Sequence, residues 1–287
     1  MIPSSLRIAL ATAAAVLIFL ILAGATYQGV ATALERRQFR HPGRLVDVDG
    51  HQLHISCTGE GSPTVVLEAP ATGMSAAWGW VQPEIAAVTR VCSYDRAGLG
   101  WSEAGDRPYD PGAVVAQLHT LLERSGEHPP YVVTGQGLGA AFARWYAAQF
   151  NPDVEALVLI DEPAPDDRAS QRDPMINFVE AAPWLARAGV LRATGLMSSN
   201  ATGLPSPASG ALMAFLNRPD HLTRAARELS RWNETVGRAA AAVLPHDFRV
   251  VRVTAAGPGR RAFLTDKRHA DAAIDGIRRT VAATRGH

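Results

Sequence analysis

Residues 8–26 read IALATAAAVLIFLILAGAT, an apolar run without a single charge. At about 1.5 Å rise per residue, a helix over this run reaches roughly 28 Å, close to the ~30 Å hydrocarbon core of a bilayer. A core helix of that length would carry a polar stripe, and none is present. The run therefore predicts a membrane-spanning helix. Two fates fit it, a signal anchor that stays and a signal peptide that is cut. Its length exceeds the about 7–15 apolar residues usual in a signal peptide and favours the anchor, while Ala31-Thr32-Ala33 offers a small-residue cleavage site.

Beyond residue 40 the pattern changes to short β-rich runs separated by helical periodicity. Residues 44–49 and 51–57 alternate on either side of Asp49-Gly50, the signature of a two-residue hairpin. Residues 64–69 (TVVLEA), 91–94, 131–134 and 156–160 (ALVLI) are continuous apolar runs, as in strands buried on both faces, and 248–254 predicts another. Helices are expected over 111–124, 138–150 and 270–285, the last with an apolar face at Ala273, Ile274, Ile277 and Val281. A hairpin followed by β-α alternation predicts the α/β class, a mostly parallel sheet flanked by helices. Residues 163–245 break this rhythm. They are rich in Ala, Pro and Arg, with helical patches at 181–191 and 222–242, and predict a small helical cap. The expected organisation is an anchor and juxtamembrane segment over 1–40 and one α/β domain over 41–287, with the cap inserted in it.

Composition narrows the function classes. With 28 Lys+Arg against 27 Asp+Glu, the formal charge of +1 argues against a nucleic-acid binder. A hydrophobic content of 47% excludes a disordered chain, and 19% charged residues suits one that spends part of its length in a membrane. Two cysteines rule out a disulfide scaffold and a four-cysteine zinc site. None of the histidines, His51, His54 and His119 included, stands with Asp or Glu at metal-ligand spacing, so neither metal nor cofactor is expected. Arg7 precedes the span whereas Arg36, Arg37, Arg40 and Arg44 follow it, which by the positive-inside rule would keep the domain in the cytoplasm.

The candidate chemistry lies in Tyr131-Val-Val-Thr-Gly135-Gln136-Gly137-Leu138-Gly139-Ala140, where a buried strand meets a glycine cluster and then a helix. That is the setting of the G-x-S-x-G nucleophile elbow, a strained turn that lifts a serine above a sheet. Gly135 and Gly139 stand at the right spacing, and the middle position is Gly137. As a dinucleotide fingerprint the pattern comes too late in the chain and lacks the acidic residue that should follow.

Together with its context this stretch resembles the α/β-hydrolase superfamily, in particular a bacterial group of membrane-anchored or secreted members. The resemblance rests on GRLVDVDGHQLHISCTGEGSPTVVLEA (43–69), SAAWGWVQPEIAAVTRVCSYDRAGLGWSE (75–103) and YVVTGQGLGAAFARWYAAQFNPDVEALVLIDEPAPDD (131–167). Asp95-Arg96-Ala97-Gly98-Leu99-Gly100-Trp101-Ser102 is its most specific piece. The resemblance implies an eight-stranded sheet with a Ser-His-acid triad at its carboxyl ends. Carried over by position, the serine falls on Gly137 and the histidine on Phe263, and neither can do the chemistry. The chain between residue 257 and Phe263 is shorter than in the family, so one strand is expected to be abbreviated. Asp161, at the end of ALVLID, is the candidate for a substitute acid, at a position where an aspartate is as often structural. His246 and His269 are weaker candidates for the base. The oxyanion donors fall on the Ala71 and Leu138 N–H groups.

The resemblance also sets Cys57 and Cys92 on the second and fourth strands, which are neighbours in its usual order. A disulfide there would favour an oxidising compartment and an extracytoplasmic domain, whereas two free buried cysteines would not. Two functions follow. The first is a membrane-anchored hydrolase-fold protein without Ser-His-acid catalysis that binds a small acyl or hydrophobic molecule, or a protein partner. The second is an active hydrolase of ester-like substrates that uses displaced groups.

Overall fold

A computed structural model describes residues 3–106, 108–164, 174–197, 201–254 and 264–286. The apolar run is part of a longer helix, α1 (Ser4–Gln38), whose apolar stretch has a mean hydropathy of 2.6 and buries no residue inside the protein. The helix continues past the run because residues 27–38 pack against the body of the protein. Gln28 is buried there and donates to the Asn217 carbonyl at 2.7 Å.

The chain then enters the sheet through the hairpin β1 (Arg44–Val48) and β2 (His51–Thr58), paired antiparallel. Asp49 (φ 55) and Gly50 (φ 86) both take positive φ, as the right-handed twist of a two-residue hairpin requires. β3 (Thr64–Glu68) follows, then α2 (Val81–Ala86), β4 (Val91–Tyr94), α3 (Pro111–Arg124), β5 (Tyr131–Gln136), α4 (Leu138–Gln149) and β6 (Val154–Ile160). Five helices come next: α5 (Pro174–Arg187), α6 (Val190–Thr194), α7 (Ala208–Leu216), α8 (Pro219–Ser230) and α9 (Trp232–Ala241). β7 (Arg249–Val253) and α10 (Lys267–Thr284) close the fold. The patch expected to be helical over 222–242 is thus two helices, broken at Arg231 (φ -105, ψ 17).

The sheet order is β1-β2-β4-β3-β5-β6-β7, antiparallel at β1-β2 and β2-β4 and parallel elsewhere. It has seven strands among the described residues, one fewer than the resemblance implied. The central strands bury both faces, which is why their sequences are unbroken apolar runs. Val66, Val133, Leu157 and Leu159 join the core under α3 and α4, while Val65, Val132, Ala156 and Val158 join that under α2 and α10. Asp110 caps α3 by accepting from Gly112 N at 3.0 Å, with Pro111 in the first turn, and Asp266 caps α10 in the same way.

Candidate functional site

The strand-to-helix turn after β5 has the geometry that its glycines foretell. Gly137 takes φ 55, ψ -121 and N-caps α4, a conformation costly for any residue with a side chain. Its flanking glycines serve packing. A Cβ on Gly135 would run into the Gly139 backbone, and one on Gly139 would run into the carbonyls of Glu68 and Ala69. At Gly137 the same test finds open space. The turn therefore keeps a sharp bend with open space in front of it and no side chain of its own.

Leu138 is the first residue of α4, so its N–H has no acceptor within the helix. Ala71 lies in the loop after β3, half-buried against the core. Asp161 follows β6 with φ 47 and donates its N–H to the Val253 carbonyl at 3.0 Å. The elbow and this aspartate are adjacent, because Gly137 N donates to the Ile160 carbonyl at 2.9 Å. The carboxyl ends of β3, β5 and β6 thus bring Ala71, Gly137, Leu138 and Asp161 to one end of the sheet. Phe263 lies outside the described residues. His246 sits in an almost fully exposed pair with Asp247 (2.9 Å), and His269 in the first turn of α10.

The histidines that are buried stand elsewhere. His54 Nδ1 meets Asp95 Oδ2 at 2.9 Å with both side chains fully buried, and Ser75 Oγ lies 3.4 Å from the same nitrogen. This is a Ser, His and Asp cluster, yet not a triad. Aspartate and serine share one ring nitrogen, and the Nε2 that a triad would turn to its serine is held by the Pro42 carbonyl. The imidazole thus faces an acceptor on each side. Burial by itself would lower its pKa, but the charge and hydrogen bond of Asp95 raise it above the ordinary value. Asp95 is held below its ordinary value against burial by His54 and by the N–H groups of Ser75 (2.6 Å) and Trp101 (2.9 Å).

A second buried network joins the sheet to the helices between β6 and β7. The Arg96 guanidinium grips both Glu228 oxygens at 2.9 Å, reaches Glu68, and donates to the Ala69 carbonyl at 2.7 Å. Tyr94 donates to the other Glu68 oxygen. Burial raises the Glu68 pKa even beside Arg96, while Glu228 is held below its ordinary value by Arg96 despite burial. Sequence reading passed over Glu68 and Glu228. The signal was a carboxylate inside an apolar strand run, TVVLE, and another on the helix face that buries Leu222 and Ala225.

Cys57 and Cys92 are register partners across β2 and β4 and are joined as a disulfide (S–S 2.08 Å). They approach Glu127, but with the sulfurs bonded to each other and Glu127 gripped by Arg90 at 2.6 and 2.7 Å, the three are not a metal-ligand set. One cavity, of about 180 Å³, lies between the end of α1 and α7 and is lined by Phe39, Arg40, Trp101 and Phe215 among others. Another, of about 400 Å³, lies by Glu155 and Phe248. Neither includes the elbow.

Residues 63–245, more than half of the chain, match the family described as α/β hydrolase fold. An uncharacterised Bacillus subtilis protein, YbdG, is 25% identical over 54% of this chain and 49% of its own length. The chain thus spans about half the length of this relative. A 2-hydroxy-6-oxo-2,4-heptadienoate hydrolase of Pseudomonas putida is 29% identical over 41% of this chain and 44% of its own. The crystal structure of the Cif epoxide hydrolase from Acinetobacter nosocomialis superposes with a TM-score of 0.63 at 15% identity, covering 80% of each chain. At that identity the likeness is one of fold.

Proposed function

Because the chain belongs to the α/β-hydrolase fold family, we propose that it is a membrane-anchored member without Ser-His-acid catalysis, binding a small acyl or other hydrophobic molecule in front of the elbow. The observation that carries this reading is Gly137, bent like a nucleophile turn at φ 55, ψ -121 and bare of any side chain. An elbow serine contributes on the order of 10⁶ in rate, roughly 8 kcal/mol of transition-state stabilisation, and glycine supplies none of it. What persists is a pair of donors. The Leu138 N–H at the start of α4 and the Ala71 N–H suit the carbonyl or carboxylate of an acyl ligand. Asp161 beside them stands in for the family's usual acid, and the helices between β6 and β7 form the cap.

The alternative, an ester hydrolase using displaced groups, draws support from relatives named as hydrolases, such as the Pseudomonas putida enzyme. Among the described residues the one buried Ser-His-Asp grouping, Ser75-His54-Asp95, argues against it, because both ring nitrogens of His54 are already engaged.

The test is a titration of the full chain in lipid nanodiscs with octanoate, followed by calorimetry, beside turnover of a short-chain activated ester. Saturable binding that is lost in Gly137→Leu, whose side chain would fill the open space, with ester turnover at the buffer rate, is the expected result. Ester turnover by the wild type that vanishes on mutating a displaced serine or histidine would replace this reading with the alternative.

A further inference from the structure

The corner between α5 and α6 stands beside the membrane segment of α1. Gly24 lies two residues before the end of the apolar run 8–26, roughly 3 Å inside it at about 1.5 Å per residue. The helix meets Ala188 and Gly189 there backbone to backbone: a Cβ on Gly24 would collide with the Ala188 carbonyl, and one on Gly189 with the Gly24 carbonyl. Polar contacts begin one turn further on. Gln28 donates to the Asn217 carbonyl and accepts from Arg192 Nε at 2.9 Å, and Arg192 also pairs with Glu35. Along α1 the docking thus changes from bare backbone to hydrogen-bonded charge at the point where a bilayer would give way to water.

At this corner apolar side chains face outward without cover. Trp184, one helical turn before Ala188, is 71% exposed and Val190 is 41% exposed. The Arg187 guanidinium lies 4.9 Å over the Trp184 ring. An aromatic ring with a cation beside it, level with the end of a membrane span, is what headgroup layers select.

We infer that the α5–α6 corner is a second membrane contact, seated in the headgroup layer of the leaflet that α1 leaves, with Trp184 and Val190 in the acyl boundary and Arg187 at the lipid phosphates. The inference rests on α1 being a retained anchor. Its occupant is the bilayer itself, because the backbone contact of Gly24 with Gly189 holds the corner against the span and leaves no room for another layer between them. The consequence is orientation. The helices between β6 and β7 are fixed against the membrane surface at two points, the docking on α1 and the α5–α6 corner.

Spin-label accessibility tests this on the full chain in phosphatidylcholine–phosphatidylglycerol vesicles. Single cysteines are placed at Trp184, Val190, Phe19 in the span and Val243, which is 84% exposed. The native cysteines are bonded to each other and take no label. Labels at 184 and 190 should favour oxygen over a polar nickel chelate, to a degree between the deep label at 19 and the aqueous one at 243. If 19 reads deep while 184 and 190 match 243, the second contact is wrong and the anchor stands. If 19 reads as aqueous, the anchor fails and the inference with it. Dipolar broadening at 184 that disappears on dilution in lipid would show a second copy covering the corner, which also overturns it.

Discussion

The turn after β5 and the loop after β4 leave the same end of the sheet and differ in what their strain and burial support. At Gly137 an uncommon backbone conformation faces open space and holds no side chain. At Asp95-Arg96 two buried charges are saturated with partners: His54 and two backbone N–H groups for Asp95, two glutamates and two carbonyls for Arg96. The first is a sharp bend with no side chain at its centre, and the second is a set of buried charges whose donors and acceptors are paired. Strain and buried charge each commonly point to function. Here the bent turn carries glycine at its centre, while the buried charges are each held by several partners.

The largest effect should come from breaking the saturated side. Arg96→Ala strands Glu68 in the core and leaves Glu228 with Arg224 alone at 3.5 Å, and removing one partner of a buried ion network costs about 3–5 kcal/mol. Urea unfolding of the full chain in detergent measures it. A loss under about 1 kcal/mol would mean that the two carboxylates are readily protonated or wetted.

The elbow separates close packing from strain. Gly135→Ala forces a Cβ into the Gly139 backbone and should destabilise by about 3 kcal/mol or more. Gly137→Ala meets no atom and bears the positive φ alone, about 1–3 kcal/mol. Equal losses would contradict the geometry of the turn. Gly137→Ser should match Gly137→Ala in stability and stay inactive toward esters, since a hydroxyl without a base is a poor nucleophile.

Smaller effects appear with pH. Burial lowers the pKa of His221, whose Nδ1 accepts from Gly100 N at 3.1 Å while Nε2 faces the Thr72 carbonyl at 3.0 Å, the pattern of a neutral ring. Below the ordinary value of 6.5 the unfolded chain takes up a proton that the folded chain refuses, so stability falls with falling pH. His54 has the opposite sign. Its raised pKa gives a contribution that is complete below 6.5 and is lost as pH rises through the folded value. His221→Gln should flatten the acid side of the urea-midpoint profile and His54→Gln the neutral-to-alkaline side.

Much of this architecture is legible in the residues. Asp49-Gly50 specifies its hairpin, TVVLE and ALVLI their buried strands, and Asp110-Pro111 the start of α3, because each is a local rule written in local sequence. The glycine spacing also gives the bend at Gly137. What the sequence hides is pairing at a distance. Glu68 and Glu228 are 160 positions apart and meet only through Arg96. The extension of α1 past residue 26 depends on partners such as Asn217 and Arg192, and the break at Arg231 separates two helices that a single periodicity joins.

The central claim, that the elbow has lost serine chemistry, is tested most directly by incubating the full chain with a fluorophosphonate probe and mapping any labelled residue by mass spectrometry. The account predicts labelling no greater than that of the heat-denatured protein. Rapid, stoichiometric modification of one serine in the folded chain would contradict it.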